Sequence, residues 1–268
     1  GQPQTIHYPR TQLLPYDDDE PLLEEQVKHL EFLRHLAVEN KANGGAGTGI
    51  DHVTVGVTSI EALFNRVPTL EAFRALSVTV EFGEPFETEA FADKATSLGY
   101  ERVPTVETRG EFSIRGGIVD IFPPDAENPI RIDLFGEEIE SIRTFDVHTQ
   151  RSIRKAGDLE SFTLLPAREK VLVEKALETS DGPLPTLLDL LPADSLLIFD
   201  TTEVYPVLDE RYRQLVERQY REHGAKLPGA AGPERLYAAM DQVQQAAARF
   251  VQLHHSLIIE GEATAHSV

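Results

Sequence analysis

The chain has 268 residues, a formal net charge of −20, 41% hydrophobic and 26% charged residues, and no cysteine. Its length favours two domains, and the lack of cysteine excludes disulfides, thiolate catalysis and Cys-ligated metal centres while fitting the cytoplasm. The acidity argues against the chain as a whole wrapping nucleic acid, which needs clustered Lys and Arg.

No run of about 18 apolar residues predicts a membrane span, and Gly1 to Arg10 lack the basic-then-apolar order of a secretory signal. Asp17-Asp18-Asp19-Glu20-Pro21 reads as a helix start, since acidic side chains favour the positive helix end and proline is tolerated in the first turn. Leu23, Val27, Leu30 and Leu33 or Arg34 follow at helical spacing and predict an amphipathic helix from Pro21 to Val38. Gly44 to Gly49 reads as a flexible loop, and Val53, Val55 and Val57 as a buried strand of a parallel sheet. A short helix from Ile60 to Arg66, capped by Ser59, precedes a β-rich run from Leu76 to Phe82. Thr88 to Leu98 predicts a helix with Gly99 as its C-cap.

From Arg102 the pattern changes. Val106 to Phe112 and Ile114 to Phe122 are short β-prone runs, and Gly116-Gly117 permits a bulge or a close backbone approach. Ile130 to Phe135, a turn at Gly136-Glu137, and the alternating Ile139 to Asp146 complete an antiparallel meander. Helices then read at Val171 to Thr179, Pro185 to Leu191, from Thr201 or Thr202 to His223, and Pro233 to Leu253. Strands read at Ser195 to Asp200 and Ser256 to Glu260. The fold class is therefore α/β: an α/β domain, residues 1–84 and 156–268, interrupted by a small mainly antiparallel β insert, residues 85–155.

The sequence carries no catalytic signature. The glycines of 44–49 follow a helix rather than a strand, and Ile50-Asp51 stands where a Walker loop has Lys and Ser/Thr. His29 and His35 lack ligand spacing, His254-His255 point about 100° apart on a helix, and no Gly-x-Ser-x-Gly elbow occurs. Neither a catalytic, a cofactor nor a metal site is expected. The arginines of the insert, Arg102, Arg109, Arg115 and Arg131, sit on or beside short strands and could converge on one face. Their planar forks suit interfacial carboxylates, although solvated arginines guarding a sheet edge are the blander alternative.

The insert also resembles a known family. Tyr100-Glu101-Arg102-Val103, the run from Arg109 to Pro123 and the run from Ile130 to Glu140 are similar in order and spacing to UvrB domain 2. That domain is shared by the damage-recognition protein UvrB and transcription-repair coupling factor. Phe145 to Ser152, Leu164 to Glu169, Leu13 to Tyr16 and Val57 to Leu63 resemble the coupling-factor branch. The interval between Tyr16 and Val53 lacks the aromatic-rich hairpin with which UvrB engages DNA.

The resemblance implies a degenerate, P-loop-like α/β domain without a Walker loop, incomplete at its amino-terminal end. It implies UvrA as partner, with Arg102, Arg115, Phe122 and Arg131 as contact residues. It further implies RNA polymerase and double-stranded DNA as partners of the full-length protein through other domains. ATP and Mg would serve those domains, with no cofactor and no reaction assigned to this chain. A fragment of UvrB itself, a nucleotide-hydrolysing domain and a structural spacer are the alternatives.

Overall fold

The computed structural model describes residues 4–11, 16, 23–42, 54–153, 158–200, 202–226 and 230–255. The acidic helix start at 17–21, the glycine loop 44–49 and the expected strand 256–260 lie outside them.

Strand β1 (Gln4–Tyr8) pairs in parallel with β2 (Thr54–Thr58), and helix α1 (Leu23–Ala42) lies between them in sequence. Leu30, Leu33, Leu36 and Ala37 of α1 are buried at helical spacing, which puts one stripe of the helix into the first apolar core. Ser59 caps α2 (Ile60–Leu63) by accepting from the Ala62 amide. A helix that the sequence reading missed, α3 (Leu70–Leu76), is capped in the same way by Thr69.

Strand β3 (Val78–Glu81) pairs antiparallel with β9 (Ser161–Leu164), and α4 (Thr88–Ser97) follows β3. Gly99 takes φ of +88° one residue after Leu98, which caps α4, so the left-handed glycine expected to end this helix is present just past the cap. The insert is a five-stranded sheet, β4 (Glu101–Arg102), β5 (Glu111–Arg115), β6 (Ile118–Ile121), β7 (Ile130–Phe135) and β8 (Glu138–Thr144), in sequence order. From β5 to β8 every pair is antiparallel, as the alternation predicts, whereas β4 pairs with β5 in parallel.

The expected strand over Val106 to Phe112 begins only at Glu111. The Glu111 carboxylate instead accepts from the amides of Glu107 and Thr108, folding that stretch into a loop. Gly116-Gly117 is the tight turn of the β5–β6 hairpin rather than a bulge, and it makes the close backbone approach: the Leu134 amide donates to Gly117 O at 2.8 Å, and an added Cβ at Gly117 would stand 3.1 Å from Leu134 O. The bulge falls at Asp133/Leu134 in the β7–β8 pair.

The second apolar core joins α4 (Phe91, Ala92, Ala95) to one face of this sheet (Phe112, Val119, Ile121, Ile132, Ile142). It also takes in Val80, Leu164 and Ala167, so its packing extends beyond both ends of 85–155. Helix α5 (Glu169–Thr179) and a 3-10 turn, Leu187–Leu190, return to the first core. The turn replaces the helix expected over 185–191, because Thr186 and Asp189 close a capping box around one turn only.

Strand β10 (Leu196–Asp200), the 3-10 turn Thr202–Val204 and helix α6 (Tyr205–Glu222) come next. The single helix expected over Pro233 to Leu253 is α7 (Pro233–Leu236), α8 (Met240–Ala247) and β11 (Val251–His255). Tyr237 turns extended, the Ala238 amide donates to Phe64 O, and β11 pairs in parallel with β10. Leu196, Ile198, Val251 and Leu253 of that pair are exposed, so β10 is not the buried strand its apolar run suggests. Among the described residues, no helix is long and apolar enough to cross a membrane.

Candidate functional site

The five-stranded sheet has an inner face, covered by α4, and an outer face. Strand alternation assigns side chains to each. On β5, Phe112 and Ile114 pack inward, which sends Ser113 and Arg115 outward. On β6, Val119 and Ile121 pack inward, leaving Asp120 outward, opposite Ser113 on β5 and Arg131 on β7. Arg131 in turn faces Arg143 of β8, and Asp133 faces Ser141. The outer face is thus a lattice of arginine and aspartate.

Asp120 is its centre. Its carboxylate is fully buried, and Arg131 donates to both oxygens, from Nε to Oδ1 at 2.6 Å and from Nη2 to Oδ2 at 2.8 Å. Arg115 Nη2 donates to the same Oδ2 at 2.8 Å. The two cations differ in what they leave open: the Arg131 side chain is 15% exposed and the Arg115 side chain 47%. Asp120 raises the Arg131 pKa further, chiefly through the hydrogen bonds. Asp133 repeats the arrangement one step along, accepting from Ser141 Oγ and from Arg143 Nη2.

A small apolar cluster, Val106, Phe122 and Phe145, carries this face. The Arg131 guanidinium lies 4.5 Å from the Phe145 ring centroid, and that of Arg109 lies 5.5 Å from Phe122. Arg109 Nε also donates to Ala126 O.

The structure brings Arg115 and Arg131 together on Asp120 but does not place all four arginines on one face. Arg102 pairs with the inward-packed Phe112 on the two-residue edge strand β4, so its register position belongs to the opposite face from Arg115. It is exposed there, with no side-chain hydrogen bond or ion pair among the described residues. Phe122 is 8% exposed and supports Arg109 from below.

Sequence reasoning missed Asp120, Asp133 and Arg143, the groups that organise the face. A charged residue in the middle of the apolar run Ile118 to Phe122 was the available signal for Asp120. Gln150 was missed as well. It is the only described non-glycine residue with positive φ, at 57°, and its carbonyl accepts from Arg131 Nη1.

Residues 78–169 match the family model for the UvrB interaction domain. That segment runs from β3 through β9, the unit closed by the second core. Residues 78–169 are a UvrB interaction domain.

Over longer stretches the chain is similar to transcription-repair-coupling factors. It is 33% identical to that of Myxococcus xanthus over 187 residues, 70% of this chain and 14% of the relative. It is 37% identical to that of Bacillus subtilis over 142 residues, 52% of this chain and 12% of the relative. With the factor of Mycobacterium bovis it shares 36% identity over 167 residues, 62% of this chain and 13% of the relative. The chain therefore carries a UvrB-homology module of the coupling-factor type, and its match spans about one seventh of the length of the Myxococcus xanthus relative. The outer face of the UvrB interaction domain, with Asp120 at its centre, is the candidate docking surface.

Proposed function

We propose that this chain is a protein-recruiting module that presents a UvrB-like surface to UvrA, bringing the damage sensor of nucleotide excision repair to stalled RNA polymerase. The observation that carries the reading is the Arg115–Asp120–Arg131 cluster within a UvrB interaction domain. A chain with a net charge of −20 here spends a fully buried carboxylate on holding two guanidinium groups in fixed geometry. Pre-ordered forks lose little freedom on binding carboxylates, which suits a protein interface better than catalysis.

Arg115 is the contact this geometry favours, with Arg131 as the group that orders the cluster and Phe122 as apolar support. Arg102 would act separately, from the exposed sheet edge. The surrounding strands and helices are read as a degenerate P-loop-like α/β domain that performs no reaction itself. ATP with Mg, RNA polymerase and double-stranded DNA would be handled by other parts of a cytoplasmic, full-length coupling factor.

Calorimetric titration of the chain with UvrA tests this. Arg115→Glu should weaken binding at least about tenfold with an unchanged circular dichroism spectrum. Wild-type affinity in both Arg115→Glu and Arg102→Glu would reject the assignment.

A further inference from the structure

We infer that a pocket beside the Asp120 cluster is a receptor for a single carboxylate side chain of a docking protein, with Arg151 and Arg143 as its ligand-binding residues. The inference rests on the reading of this face as a protein-docking surface and adds to it the chemical group that is received and the place that receives it.

The pocket has a volume of about 590 Å³, and Arg131, Arg143, Arg151, Gln150, Ser152 and Asp158 are among the residues that line it. Its walls are built by local pairing: Phe145 bridges to Ser152 and Arg143 to Asp158. The Asp146 amide donates to Arg151 O at 3.0 Å, closing the turn that delivers Arg151. Gln150 makes that turn possible by adopting positive φ. Such a backbone is disfavoured for a residue with a Cβ, and here several bonds secure it. Gln150 Nε2 donates to Val147 O at 2.8 Å and to Val106 O at 3.2 Å, and its carbonyl receives Arg131 Nη1 at 3.2 Å.

Charge decides the ligand. Around the pocket and the adjoining cluster stand four arginines, Arg115, Arg131, Arg143 and Arg151, against three aspartates, Asp120, Asp133 and Asp158. Arg115 and Arg131 are neutralised in part by Asp120, and Arg143 by Asp133. Arg151 is exposed, and its side chain has no ion pair among the described residues. Arg143 Nε is buried without a hydrogen-bond partner among those residues.

Among these described residues one positive charge is left over, in a chain whose net charge is −20. A nucleic-acid strand carries one charge per phosphate and needs clustered Lys and Arg left free to neutralise it, whereas three of these arginines already share aspartates. One carboxylate matches both the surplus charge and the planar guanidinium forks.

The test has two arms. In the first, UvrA is titrated into the wild-type chain, Arg151→Gln, Arg151→Lys and Arg143→Gln. Arg151→Gln should weaken binding at least about tenfold, and Arg151→Lys should restore only part of it, because an ammonium lacks the fork. In the second, the Nε–H resonances of Arg143 and Arg151 are followed while a blocked Gly-Glu-Gly peptide, its Gly-Gln-Gly analogue and inorganic phosphate are added separately.

Saturable shifts with the glutamate peptide alone support the proposal. UvrA binding that is strong and equal in wild type and Arg151→Gln overturns the pocket and leaves the docking surface standing. If wild type fails to bind UvrA, the docking reading falls, and the peptide arm alone judges the pocket: saturation upholds it and silence overturns it. Shifts with phosphate but not with the glutamate peptide overturn the carboxylate assignment. Arg151→Gln keeps the test decisive if Arg143→Gln, which strips Asp133 of its cation, fails to fold.

Discussion

Arg131 grips Asp120 through both carboxylate oxygens across directly paired positions of β7 and β6. The pair is buried on the aspartate side and nearly so on the arginine side, so its integrity matters more than its net worth. Buried ion pairs contribute little relative to an apolar replacement, but loss of one partner leaves an uncompensated charge. Asp120→Ala should therefore destabilise the domain by about 3–5 kcal/mol. Urea denaturation measures this. A loss below about 1 kcal/mol would mean that Arg131 finds another partner or water.

If Arg102 and Arg115 both touch UvrA, their contributions should be independent. Arg115 shares Asp120 with Arg131, whereas Arg102 pairs with Phe112 on the edge strand and belongs to the other face. Side chains without common partners act additively to within about 0.5 kcal/mol. The binding loss of the double Ala variant should thus equal the combined loss of the single variants in a calorimetric cycle. Strong coupling would require a partner that wraps the sheet edge and ties the two residues together.

Gly99 is held by conformation and by space at once. Its φ is +88°, and an added Cβ would stand 3.1 Å from Val171 Cγ2 of α5. Gly99→Ala should cost about 1–2 kcal/mol from the left-handed backbone alone, with a further contribution if Val171 cannot shift. Thermal melts of the variant against wild type would register this. An unchanged melting point would show that the α4–β4 turn can relax to negative φ.

Helix α1, strand β8 and the glycine turns at Gly99 and Gly136 were legible because their signals are local: a 3.6-residue stripe, strict alternation and glycine where positive φ is needed. The end of the chain was not. Met240 to Leu253 is rich in good helix formers, yet the Ala238 amide bonds to Phe64 and Val251 to His255 pair with β10, long-range contacts that propensity cannot report. The same division holds in the site. Arg115 and Arg131 were found by their place on strands. The face on which Arg102 lies depends on a parallel pairing two residues long, and the role of Asp120 appears only when three strands align.

The contact between α1 and the start of α5 should make stability depend on pH. His29 of α1 is buried, stacks on Tyr8 with ring centroids 4.1 Å apart, and hydrogen-bonds Glu169 Oε2 and Pro9 O, each at 2.7 Å. Glu169 opens α5 at the end of the UvrB interaction domain, and its amide donates to Gln26 of α1. Burial by itself lowers the imidazole pKa, but the Glu169 charge and hydrogen bond, the Pro9 carbonyl and Glu25 outweigh it, and the net shift is upward from 6.5. A folded-state pKa above the unfolded value means that the protonated pair stabilises fully below about pH 6.5. That contribution fades as pH rises through the folded-state value. The stability gap between wild type and His29→Gln, read from urea midpoints, should accordingly be widest near pH 6 and shrink by about pH 9. A gap that stays constant or widens with pH would show that His29 is neutral in the fold and holds α1 to the start of α5 by hydrogen bonding and stacking alone.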